Sequence, residues 1–208
     1  MGILSNTVSI TRYRVEGKLP NPVMEAVLHG LETNIFQDID GEQGDKSVGW
    51  TSFDRPFRPN FSGSSFVMDT RFIFSLRIDK KTIPPKVLSK HVQIAVEKKL
   101  AETDREYLSK NEKKEIRDHV ETVLFTRIPA VPSVVDLIWH YEDGLLWFFS
   151  NQKSANEELE ALFVKSFRLT LIRLFPYTMT ELMPELSPDR WDALSHLSPA
   201  RLMEASQP

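Results

Sequence analysis

Residues 71–79 read RFIFSLRID, and this stretch alternates with a period of two. Phe72, Phe74, Leu76 and Ile78 fall on one face of an extended chain, and Arg71, Ile73, Ser75, Arg77 and Asp79 fall on the other. The pattern predicts a half-buried β-strand with one apolar face on a core and one face toward solvent.

Shorter extended stretches lie on the N-terminal side of this strand. Residues 7–14 predict a first strand with Val8, Ile10 and Arg12 on one side, and Pro22 then begins a helix that runs to Leu31. Further short strands are expected at 48–51 and 65–68. A strand followed by a helix is typical of an α+β layer.

Two helices are expected on the C-terminal side. Pro84 and Pro85 begin the first, in which apolar residues recur every fourth position from Leu88 to Leu100, so its apolar face is expected to cover a sheet. A capping-box pattern from Ser109 to Glu112 begins the second. Its basic residues alternate with acidic ones at spacings that predict intrahelical ion pairs. Together they predict a long charged helical hairpin.

Strand patterning returns after Pro132. Residues 134–141 and 145–149 flank a Glu142-Asp143-Gly144 turn, which indicates a hairpin because glycine tolerates a positive φ. A second capping-box pattern at Ser154–Glu157 begins a helix, and residues 168–174 are expected to form a last strand. Ser187-Pro188 and Ser198-Pro199 indicate short helices in the tail.

The predicted fold is α+β, with small mixed or antiparallel sheets backed by helices and the charged hairpin between them. Four regions follow: an N-terminal strand-helix-strand region at 1–83, the helical hairpin at 84–128, a β-β-α-β unit at 129–175, and a proline-broken tail at 176–208.

Composition excludes several classes of protein. The chain has 208 residues and no cysteine, so thiol nucleophiles, thiolate metal sites and disulfides are absent. No secretory or membrane-spanning segment is expected, which predicts a cytoplasmic protein. The formal net charge is −3, so the chain as a whole is not a polycation.

One segment nevertheless carries a strong positive charge. Residues 71–99 have a net charge of +6, whereas residues 32–54 have −5. A basic strand end and helix face would neutralise DNA phosphates, although a merely solvated helix face is the alternative. The predicted DNA-binding residues are Arg71, Arg77, Lys80, Lys81, Lys86, Lys90, Lys98, Lys99 and Arg127.

Aromatic residues give a second candidate surface. Phe53, Phe57 and Phe61 share a loop with Arg55 and Arg58, and Phe125 lies near the end of the second hairpin helix. These rings would stack on bases or contact a partner chain. The alternative is that they fold back onto the body.

Enzyme motifs are not found. No Gly-Lys-Ser/Thr follows Gly41 and Gly44, and the five histidines have no metal-ligand spacing. Glu97 and Lys99 form a Glu-x-Lys pattern that Asp79 would complete in a metal-dependent nuclease, but this pattern lies on a predicted helix instead of a strand. No catalytic residue, metal or cofactor is therefore predicted.

Several blocks, in order, resemble the recombination-associated RdgC family of bacterial DNA-binding proteins. They are Thr11-Arg12-Tyr13-Arg14, Val48-Gly49-Trp50, Phe74-Ser75-Leu76-Arg77, Ile83-Pro84-Pro85-Lys86-Val87-Leu88, the charged helix 110–124, Phe125-Thr126-Arg127 and Asp143-Gly144-Leu145-Leu146.

This resemblance implies a non-enzymatic, sequence-independent binder of duplex DNA, associated with the nucleoid. It further implies a ring-like dimer with a basic inner surface that limits access of the recombinase RecA to DNA, with Phe125-Thr126-Arg127 at the DNA-lining or dimer region. The chain ends about where the family's C-terminal portion would begin, which puts ring closure in doubt.

Two alternative functions remain open. One is a protein-interaction module that acts on recombination or phage-related machinery through the aromatic loop and the tail. The weaker one is a metal-dependent exonuclease.

Overall fold

The computed structural model describes residues 2–63, 65–175, 178–179 and 187–196. In chain order, the elements within these residues are β1 (Thr11–Glu16), α1 (Val23–Thr33), β2 (Lys46–Thr51), β3 (Val67–Met68), β4 (Arg71–Lys80), α2 (Pro85–Thr103), α3 (Lys110–Arg127), β5 (Val131–His140), β6 (Leu145–Phe148), α4 (Lys153–Phe167), β7 (Thr170–Leu174) and α5 (Pro188–Ser195).

The strands form one antiparallel sheet in the order β2-β4-β5-β6-β1-β7, with β3 beside β4. The α+β class is confirmed. The prediction of separate small sheets is wrong, because β4 and β5 pair over their full length from Arg71 opposite His140 to Lys80 opposite Val131. Strands before and after the two charged helices therefore belong to the same sheet.

The core lies between one face of this sheet and helices α1 and α4. Phe74 and Leu76 of β4 are completely buried there. The Trp139 ring of β5 lies 5.0 Å from the Phe163 ring of α4, and Phe163 lies 4.8 Å from Phe167. Each large apolar side chain buried in this way contributes roughly 1.5–3 kcal/mol to stability.

The second face of β4 is buried as well, so the expectation of a half-buried strand is wrong. Gly49 of the neighbouring strand allows Phe36 to cross this face, since a Cβ at Gly49 would lie 2.4 Å from the Phe36 Cα. The N-terminal residues cover Ser75 and Asp136, and the Ile3 N–H donates a hydrogen bond to Asp136 Oδ2 at 2.9 Å. Because the segments that bury this face are distant in sequence, the alternation of apolar and polar residues in β4 does not reveal the burial.

Strand β1 begins at Thr11, later than predicted, and its inward side is the opposite one. Thr11 and Tyr13 are buried, whereas Val8 and Ile10 are more than 40% exposed. The Tyr13 hydroxyl donates to Asn156 Oδ1 at 2.6 Å. Burial, and secondarily the nearby Glu160 carboxylate, raises the pKa of Tyr13 well above its ordinary value.

Helices α2 and α3 pack against each other, and we call residues 85–127 the arm. No residue of α2 is buried, so the expectation that its apolar face covers the sheet is wrong. The capping box at the start of α3 is confirmed: the Ser109 N–H donates to Glu112 Oε2 at 2.8 Å, and the Glu112 N–H donates to Ser109 Oγ at 3.3 Å.

The Asp143-Gly144 hairpin is confirmed between β5 and β6, with Gly144 at φ +61°. The second capping box is wrong, because α4 begins at Lys153 without a side-chain cap. Helix α5 begins at Pro188, as the sequence predicts, and the helix expected at Ser198-Pro199 lies outside the described residues. None of the described helices combines the length and apolarity needed to cross a bilayer.

Candidate nucleic-acid interface

The basic segment 71–99 does not form a single patch. Arg71 and Lys80 occupy the two ends of β4, a ten-residue strand, so they lie about 30 Å apart. Arg71 is exposed beside His140, where burial and then the Arg71 charge lower the pKa of the imidazole. The arm leaves the sheet at the other end, after Lys80.

Arg77 is buried inside the body, so its predicted phosphate contact is corrected. Its Nε and Nη2 atoms donate to the two carboxylate oxygens of Asp79 at 2.8 and 2.6 Å. The guanidinium carbon lies 4.0 Å from the centre of the Phe36 ring and 5.1 Å from that of Phe57. A buried charge requires such a partner. Because Arg77 is buried and paired with Asp79, its guanidinium is not exposed to a DNA phosphate.

Lys81 is also corrected, since it is only 4% exposed. Its ammonium group donates to the carbonyl oxygens of Glu42 and Phe125, each at 2.8 Å. Phe125 belongs to the last turn of α3, where carbonyl oxygens lack helical partners. Lys81 therefore fastens the base of the arm to the loop that precedes β2.

The remaining candidates near the base of the arm are exposed. Lys80 ends β4, Lys86 and Lys90 lie one turn apart at the start of α2, and Arg127 ends α3. None of them has an acidic partner within 4.0 Å among the described residues. Because these elements begin or end at the same end of the sheet, we treat Lys80, Lys86, Lys90 and Arg127 as one set, the root cluster.

The outer candidates on α2 differ from the root cluster. Lys98 lies 3.9 Å from Glu102, and Lys99 is exposed next to it. On α3, four basic residues alternate with four acidic ones between positions 110 and 121, so that helix brings no net positive charge there. None of the predicted ion pairs within this stretch of α3 is formed within 4.0 Å, and Glu112 pairs instead with Arg105 at 3.1 Å.

The aromatic candidates separate in a similar way. Phe61 is only 2% exposed and packs edge-to-face on Phe66, so its predicted interface role is corrected. Phe53 and Phe125 are half-buried, and Phe57 is 62% exposed. Two of the three loop rings therefore turn toward the body, as the alternative interpretation had it.

Two further exposed cations, Arg12 and Arg14, were not among the predicted DNA-binding residues. Arg12 and Arg14 point outward from β1, opposite Trp147 and Leu145 of β6. Their alternation with Thr11 and Tyr13 carried the signal, but Val8 and Ile10 led to the wrong inward face.

An acidic loop, residues 38–45, also lies at the base of the arm. The Asp40 carboxylate accepts from the Ala130 N–H at 2.8 Å, and the Asp45 carbonyl accepts from the Lys81 N–H at 2.8 Å. These contacts place negative charge beside the root cluster, where it opposes the approach of another polyanion.

The residues considered for a nuclease do not come together. Asp79 is buried and held by Arg77, whereas Glu97 lies on the exposed side of α2 and accepts from Gln93 at 3.0 Å. Within the described ranges, no three His, Asp or Glu side chains are grouped so that they could hold a metal ion.

Comparison with known proteins agrees with the blocks noted in the sequence. The family model described as "Putative exonuclease, RdgC" matches residues 8–185, which include both helices of the arm and all seven strands of the described residues. A comparison with curated proteins finds no match. A family match over most of the chain identifies it as a member of the RdgC family of recombination-associated proteins.

Proposed function

We propose that this RdgC family member is a non-enzymatic protein that binds the backbone of duplex DNA without sequence preference. The observation that carries the proposal is the root cluster: its four cations are exposed on elements that begin or end at one end of the sheet, and none has an acidic partner within 4.0 Å among the described residues. Phosphate contacts of this kind give affinity that is independent of base sequence.

The surrounding structure supports the same surface. The hydrogen bond from Lys81 to the Phe125 carbonyl fixes the last turn of α3, so Arg127 projects from an anchored helix end. A cation at a helix C-terminus is also favoured by the helix dipole. The backbone that carries Arg127 is therefore held in place before DNA arrives, which lowers the entropy cost of binding.

Four phosphate contacts define an expected salt dependence. The logarithm of the association constant should fall with the logarithm of salt concentration with a slope of about −3.6. The overall negative charge and the acidic loop make the affinity modest.

We further propose that two copies of the chain associate, and that the bound protein restricts access of a RecA-type recombinase to DNA at the nucleoid. The support for association is the exposed apolar side of the arm: Ile94 is 51% and Val87 37% exposed. A groove of about 410 Å³ beside Ile94 runs between α2 and α3. Light scattering of the wild-type chain and an Ile94→Glu variant tests this association.

The experiment for the main proposal measures binding of two unrelated 30-base-pair duplexes at stepped salt. Equal affinities that weaken steeply with salt support it, whereas a response to one sequence alone, or no binding, contradicts it.

Incubation of end-labelled duplex with Mg²⁺ or Mn²⁺ tests the exonuclease alternative, and shortened strands would overturn the non-enzymatic assignment.

The protein-interaction alternative has less support than the sequence alone gave it. Of the aromatic loop, only Phe57 offers an exposed ring. Most of the tail lies outside the described residues.

A further inference from the structure

A basic cleft lies on the helical side of the body, away from the arm. It has a volume of about 420 Å³ and lies between the C-terminal ends of α1 and α4. The residues that carry polar groups into its lining include Lys18, His29, Thr33, Lys165, Ser166 and Arg168. We call it the α1–α4 cleft.

The charge of this cleft is unbalanced. Lys18, Lys165 and Arg168 give it three positive charges, and no acidic residue lines it. Among the described residues, none of the three has an acidic partner within 4.0 Å. Elsewhere on α4, Lys153 does lie near an acid, Glu157, at 3.7 Å.

The walls of the cleft are held firmly. Gly30 of α1 approaches Phe167 so closely that a Cβ at this position would lie 2.6 Å from the ring. The Trp50 indole N–H donates to Ser166 Oγ at 2.7 Å. Arg168 ends α4 in the left-handed conformation, with φ +56°, and its N–H donates to the Val164 carbonyl. Lys165 and Arg168 therefore project from a fixed backbone.

Helix dipoles account for part of this arrangement. Two helix C-termini meet here, and each favours a nearby cation. Lys165 and Arg168 lie at the end of α4 and fit that explanation. Lys18 comes from the loop after β1, outside any helix, and it adds a third charge to the same concave surface.

From these observations we propose that the α1–α4 cleft binds a phosphate-bearing ligand. The volume is within the range of small-molecule sites, and Thr33 and Ser166 line the cleft beside the cations. The phosphate belongs either to a small molecule or to the DNA backbone. This site is separate from the root cluster, so it does not depend on the proposed function.

The test uses inorganic pyrophosphate as the probe and titration calorimetry as the measurement. The double variant Lys165→Gln/Arg168→Gln should weaken pyrophosphate binding at least tenfold. The charge-matched double variant Lys113→Gln/Lys114→Gln, on α3 and outside both proposed phosphate surfaces, should leave it unchanged. Circular dichroism of each variant verifies that the fold is intact.

Duplex binding by the same variants identifies the source of the phosphate. If the cleft variant binds duplex as the wild type does, the ligand is a small molecule; if it loses duplex affinity as well, the cleft takes DNA phosphates. The proposal is overturned if pyrophosphate does not bind, or if it binds the cleft variant as tightly as the wild type. In that case the cations only neutralise the helix ends.

Discussion

Two basic residues are buried and hydrogen-bonded in the sheet body, whereas similar residues on the arm are exposed. In the body, Arg77 and Lys81 are buried, and each donates two hydrogen bonds to protein acceptors. On the arm, Lys86 and Lys90 are exposed and free of acidic partners within the described residues. Positive charge in a sequence is therefore available for binding only where no other segment covers it.

The largest expected effect tests the body. Arg77→Ala would leave the Asp79 carboxylate buried without a counter-charge, and such a loss costs about 3–5 kcal/mol of unfolding free energy. Chemical denaturation measures it. Replacing both partners, as in Arg77→Met/Asp79→Leu, should recover most of the loss, because the uncompensated charge is removed. A loss below about 1 kcal/mol in Arg77→Ala would mean that the pair is not a buried one.

A smaller effect is expected where the body meets the arm. Lys81→Met keeps the length of the side chain but leaves the Glu42 and Phe125 carbonyls without their donor, at a cost of about 1–3 kcal/mol. Hydrogen exchange should accelerate in the last turn of α3 more than in β4. Equal acceleration in both elements would show that Lys81 does not act as a local fastening.

Features that depend on neighbouring residues can be predicted from the sequence, whereas burial by distant segments cannot. Local signals were sufficient for the strand at 71–79, the Ser109 capping box and the Asp143-Gly144 turn, since each depends on neighbouring residues. The burial of Arg77 depends on Phe36, which lies about forty positions earlier and reaches β4 only because Gly49 lacks a side chain.

Long-range pairing explains the other differences. The single sheet arises because β4 and β5 meet after an intervening arm, and no local pattern encodes which strand a strand will join. The sequence predicted the residue types of the candidate site and the family of the chain. Which of these residues are buried and which are exposed depends on segments that are distant in sequence, so only the three-dimensional structure shows it.

An acid-dependent effect is expected at the outer end of the arm. Hydrogen bonds from the Ser109 backbone N–H and hydroxyl hold the pKa of Glu112 below its ordinary value. The charged form is thus favoured by folding, so its contribution is present above the ordinary value of 4.5 and is lost as the pH falls through the lower folded value. Helicity of α3 should decrease on acidification, and the Glu112→Gln variant should show a weaker pH dependence by NMR.

The smallest expected effect concerns the acidic loop. Glu42→Gln/Asp45→Asn removes two negative charges near the root cluster and should tighten duplex binding by less than about tenfold. Glu16→Gln/Glu142→Gln makes the same charge change at the opposite end of the sheet. That end is roughly 30 Å away, beyond the Debye length of about 10 Å at 0.1 M salt, so the control should change affinity little. Equal gains in both variants would assign the effect to net charge alone.

The most direct test of the central claim compares the salt dependence of duplex binding in three proteins. They are the wild type, Lys86→Gln/Lys90→Gln at the root of the arm, and Lys113→Gln/Lys114→Gln near its outer end, about 20 Å from Arg127 along α3. The root variant should reduce the magnitude of the slope by about 2 and weaken binding to all sequences alike, whereas the outer variant should leave the slope unchanged. A root variant with the wild-type slope would contradict the assignment of the DNA contact to the root cluster.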